Sequence, residues 1–77
     1  NLFNSPFVIA EARRLADRIK DDIGESNEAQ IARAYEITLG RQPREKEKLA
    51  SLAAVRQHGL ATLCRALFNS SEFLFLP

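Results

Sequence analysis

Tryptophan and methionine are absent from this chain, and cysteine, histidine and tyrosine occur once each. The lone Cys64 excludes an internal disulfide. One histidine, His58, leaves any Ser-His-Asp or histidine-rich metal constellation without visible partners. No apolar run approaches the ~18 residues that a membrane-spanning helix needs, so no membrane insertion is expected. One-signed charge is missing too. Eleven Lys and Arg face ten Asp and Glu, mixed along the chain, for a net charge of +1. A phosphate-binding surface would need clustered bases, so nucleic acid is not an expected partner. Glycine and proline are scarce at three each, so each one is informative about where an element starts or stops.

What is present is a helical pattern. The hydrophobic share is 45% and the charged share 27%, values of a folding chain rather than a disordered one. At 77 residues the chain has room for one core, and a chain of this size buries only about 60% of its unfolded surface. Ser5-Pro6 reads as an N-cap followed by a first-turn proline. Val8, Ala12, Leu15, Ala16, Ile19 and Ile23 then recur at helical spacing, up to a stop at Gly24. A second helix starts near Ser26-Asn27, with Asn27 and Gln30 as the expected capping box. Ile31, Ala34, Tyr35 and Leu39 form its stripe, and Gly40 ends it. A third restarts at Gln42-Pro43 through the charged Arg44-Glu45-Lys46-Glu47-Lys48, which reads as solvated. Its apolar face is expected at Leu49, Leu52, Ala53 and the stem of Arg56, and His58-Gly59 closes it. The fourth carries Leu60, Leu63, Cys64, Leu67 and Phe68, with Ser70 as a cap for a last turn. No segment alternates in the manner of a sheet. The expected fold is all-α, a compact bundle of about four short helices joined by loops of two to four residues, with a hydrophobic C-terminal tail.

Several residues invite a chemical reading. Arg41, in Gly40-Arg41-Gln42-Pro43, could meet an anion or partner at the start of helix three. It could also cap carbonyls of helix two or pair with a carboxylate, and this structural reading weighs more. Asp21, Asp22 and Glu25 lack the alternating oxygen ligands of a calcium loop, so solvated surface is expected there. The turn between helices two and three resembles a DNA-reading arrangement, but Glu45 and Glu47 cancel Arg44, Lys46 and Lys48. Tyr35 and Cys64 both sit on apolar stripes, which makes them a buried ring with a satisfied hydroxyl and a small buried hydrophobe. Phe73, Phe75 and Leu76 either form an exposed partner patch or fold back to close the bundle. The interaction candidates are therefore Arg41, Phe73, Phe75 and Leu76, with no catalytic, cofactor-binding or metal residue. The end segments Phe3-Asn4-Ser5-Pro6-Phe7 and Phe68-Asn69-Ser70-Ser71-Glu72-Phe73 echo each other as an aromatic followed by a helix cap.

Leu2-Phe3-Asn4-Ser5-Pro6-Phe7-Val8, then Arg33-Ala34-Tyr35 with Leu39-Gly40-Arg41-Gln42-Pro43, then Ala66-Leu67-Phe68-Asn69-Ser70-Ser71-Glu72-Phe73-Leu74 occur in an order that resembles one family. It is the C-terminal part of a planctomycete domain of unknown function, found in large proteins that often carry cytochrome-c-like haem modules. The middle motif is also similar to helical modules of phycobilisome linkers and of some bacterial surface-protein repeats. The resemblance implies that residues 1–77 form one helical domain excised from the C-terminal end of a larger secreted or cell-envelope protein. No Cys-x-x-Cys-His is present, so any haem would sit in another domain of that parent. The expected role is a structural or interaction module docking on upstream domains of the same chain. The alternative is a C-terminal segment that completes the active site of a larger cell-envelope enzyme, with Arg41 and Tyr35 as the residues concerned.

Overall fold

A computed structural model describes residues 5–70, 72 and 73. Four helices follow one another: α1 (Pro6–Ile23), α2 (Asn27–Leu39), α3 (Glu45–His58) and α4 (Leu60–Phe68). Among the described residues there is no strand, and the all-α bundle read from the sequence is the observed fold.

Local chemistry sets most helix ends. Ser5 is extended, and its Oγ accepts from the Val8 N–H at 3.2 Å while Pro6 occupies the first turn. Ser26 repeats the device, accepting from the Ala29 N–H at 3.2 Å. The expected Asn27–Gln30 box therefore does not form. The cap lies one residue earlier, and the buried Gln30 amide donates instead to the Gly24 carbonyl, tying α2 back to the end of α1. Gly40 ends α2 in the left-handed conformation at φ 70°. Pro43 is buried but lies ahead of α3, which begins one residue after Arg44. Gly59, at φ 94°, alone separates α3 from α4, a tighter turn than the expected two to four residues.

α4 is the shortest helix and touches the other three. Its Leu60, Leu63, Cys64 and Leu67 meet Ala12, Leu15, Ala16 and Ile19 of α1, Ile31, Ala34 and Tyr35 of α2, and Val55 of α3 in one core. A leucine fully buried this way contributes about 1.5–3 kcal/mol. The stripes expected for α1, α2 and α4 face inward, with Val8, Leu39 and Phe68 half-buried and Ile23 exposed at the end of α1. Phe7 is 71% exposed.

α3 departs from its expected face. Leu49 is 69% exposed and Ala53 is exposed, whereas Ser51 and Val55 are buried; of the expected face, Leu52 alone packs against the core, half-buried. The helix is turned so that Glu47, Ser51 and Val55, spaced four apart, face inward. Part of the cause is polar. Tyr35 Oη and Ser51 Oγ share a buried hydrogen bond of 2.9 Å, and Glu47 takes both ends of an arginine fork. Those fixed-direction bonds act together with the burial of Val55, and in the resulting rotation Leu52 packs at the core's edge while Leu49 is left outside.

Candidate functional site

The most connected polar group is Arg41, placed by the Gly40 turn between α2 and α3. Its guanidinium makes five hydrogen bonds. Nη1 and Nη2 donate to Glu47 Oε1 and Oε2, both at 2.8 Å. Nε and Nη2 donate to Glu72 Oε2 and Oε1, both at 2.8 Å. Nη1 also donates to the Gln42 carbonyl at 3.0 Å. Guanidinium has five N–H groups, so every one is engaged. The flat cation also lies over the Tyr35 ring, 5.7 Å from its centroid, within cation–π range. The far end of the same ring reaches Ser51.

Glu47 is the third residue of α3. Besides Arg41, its Oε1 accepts the Arg44 backbone N–H at 2.7 Å, so one carboxylate caps the helix and grips the arginine. The Arg41 fork, with that N–H, holds the Glu47 carboxyl down to a pKa of about 2. Arg41 lowers the Glu72 carboxyl in the same way, and the two carboxylates raise the arginine above its ordinary value. The expectation that the charged start of α3 is fully solvated is thus corrected at Glu47, whose side chain is 29% exposed.

The clasp carries the chain's end with it. Glu72 stands 31 residues from Arg41, and the adjoining turn is closed by the Phe73 N–H on the Ser70 carbonyl at 3.2 Å. Phe73 is half-buried and packs edge-on against Phe68, ring centroids 5.1 Å apart at 70°. At this residue the tail folds back. The other two tail candidates, Phe75 and Leu76, lie outside the described residues.

The remaining singled-out residues fall apart as chemistry. Cys64 is fully buried, and desolvation pushes its thiol up to about 12. His58 is exposed at the end of α3. Asp21, Asp22 and Glu25 are all exposed, and among the described residues no three His, Cys, Asp or Glu converge to hold a metal ion. No described helix is long and apolar enough to cross a membrane. Sequence reasoning missed Ser51, Glu47 and Glu72. Glu47 carried a local signal, an acid three residues past a helix start. Glu72 carried none, because its partner is fixed only by folding.

What the arrangement does is join α2, the following turn, α3 and the C-terminal turn through one cation. It leaves no free donor on Arg41 for a substrate. No curated protein and no solved structure matches the chain. A family model does match residues 1–55, from the N-terminal segment into α3, and on that evidence the chain belongs to PSD1, a family described as proteins of unknown function (DUF1553).

Proposed function

We propose that this chain is a non-catalytic structural or interaction module that docks against the rest of its parent protein through its C-terminal apolar segment. The observation behind the reading is the clasp. Arg41 commits its whole guanidinium inside the fold and reaches across 31 positions to Glu72. An arginine so engaged is a positioning residue for the end of the chain rather than a ligand for a small molecule. Phe73, next to Glu72, rests on Phe68, and Phe75 and Leu76 continue the apolar run in the sequence. In this reading Phe73 closes the bundle, while Phe75 and Leu76 contact upstream domains of the same chain. The resemblance adds a secreted or cell-envelope parent whose haem, where present, belongs to another domain.

The test removes residues 73–77 and measures two things: the urea stability of the chain and its binding to the rest of the parent supplied separately. Both are expected to fall. If both stay at their starting values, the tail has no such role. Arg41→Ala is expected to weaken the same binding without touching any tail residue.

A further inference from the structure

The outer side of α3 carries an apolar stripe that the described fold covers only in part: Leu52 packs at the edge of the core, and Leu49 stands outside it. Leu49 is 69% exposed and Leu52 half-buried. Both line a groove of about 620 Å³ between α2 and α3, together with Ala29, Ala32, Pro43 and Glu45. Polar bonds on the inner face hold α3 in this rotation, so the exposure belongs to the fold rather than to a frayed end.

The charges flanking this stripe point to its occupant. Glu45, Leu49, Leu52 and Arg56 follow one another at spacings of four, three and four. At ~100° per residue they fall within an arc of about 60° on one face. The order is acid, leucine, leucine, base, and it reverses onto itself with opposite charge. When two copies of α3 lie antiparallel about a two-fold axis, Leu49 of each faces Leu52 of the other, and Glu45 of each faces Arg56 of the other. Such an isologous contact is self-complementary by construction. Both charges are exposed. Arg56 makes no ion pair among the described residues, and Glu45 has only Lys48 Nζ at 3.6 Å. A parallel pairing would set like charges against each other.

We infer that a second copy of this chain covers this face: two α3 helices pack antiparallel, and Leu49 of each enters the α2–α3 groove of the other. This contact is independent of the C-terminal docking proposed above. One helix pair falls below the ~1,200 Å² of a standard interface, so the dimer is weak and concentration-dependent.

Sedimentation equilibrium of the chain, from about 10 μM to 1 mM, reads it out. Dimers are expected within that range, with an association constant that falls as salt is added. Leu49→Glu, at a site too exposed to disturb the core, is expected to weaken association at least about tenfold while the helical signal is kept. Glu45→Lys is expected to weaken it similarly, and Glu45→Lys combined with Arg56→Glu to restore it within about threefold. Removal of residues 73–77 is expected to leave it unchanged, which separates this contact from tail docking. A chain that stays monomeric at 1 mM overturns the inference, and the face then serves another partner. A dimer indifferent to Leu49, or a charge swap that fails to restore it, overturns it equally.

Discussion

One buried hydrogen bond is among the contacts that set the rotation of α3, and removing either end of it tests its share. Tyr35 is 5% exposed and Ser51 4%, and they meet at 2.9 Å across α2 and α3. A buried hydroxyl left without a partner costs about 1–3 kcal/mol. Tyr35→Phe leaves Ser51 alone. A helical serine can turn to the carbonyl four residues back, so about 1 kcal/mol is expected, the lower end of the range. Ser51→Ala strands the phenol, which has no second hydrogen-bond partner among the described residues, and about 2 kcal/mol is expected. The double variant has no orphan at all. It should be less destabilised than the two single losses combined, by about 1 kcal/mol. In a domain of this size each kcal/mol moves the melting midpoint by about 4–8 °C. Urea unfolding followed by far-UV circular dichroism gives the four stabilities, with an unchanged m-value as the check that the unfolded state is the same. Additive losses within about 0.5 kcal/mol would mean that the two hydroxyls act independently. The orientation of α3 would then rest on the Arg41–Glu47 fork and the burial of Val55 alone.

Leu63 is 5% exposed in the centre of α4. Leu63→Asp should leave the chain unfolded by circular dichroism, because an unpaired buried carboxylate exceeds the few kcal/mol a small bundle has to lose. Acid should weaken the fold through the clasp. The unfolded chain takes up protons near the ordinary Glu pKa of 4.5, but folded Glu47 holds out to about 2. The contribution of Glu47 is therefore complete above about 4.5 and fades as pH falls towards 2. Arg41→Gln should flatten that part of the pH–stability curve, and an unchanged acid limb would refute the coupling. Cys64, with its thiol pushed up to about 12, should resist iodoacetamide at mild alkaline pH in the folded chain and react once urea unfolds it. Rapid alkylation of native protein would place the thiol at the surface.

Where the sequence could be read directly, the relevant forces are local. Ser5-Pro6, Gly24, Gly40 and Gly59 mark helix ends because capping and positive-φ turns involve residues within a few positions of one another. The buried apolar faces of α1, α2 and α4 follow from apolar periodicity, and the polar residues buried beside them on α2, Gln30 and Thr38, bond to nearby carbonyls without turning the helix. Cys64 and Tyr35 were legible for the same reason: a place on an apolar stripe settles burial.

By itself, then, the sequence determined a set of amphipathic helices, their approximate limits and the inward faces of three of them. The rotation of α3, the commitment of Arg41 to Glu47 and Glu72, and the return of Phe73 onto Phe68 were decided only in the tertiary structure. The reason is directional. Hydrophobic burial is nearly indifferent to direction and follows composition along a helix. A hydrogen bond or a guanidinium fork needs a partner at a set distance and angle, and here those partners come from distant parts of the chain. On α3, where the two demands disagree, the oriented bonds hold Ser51 and Glu47 inward, and Leu49 is left facing outward.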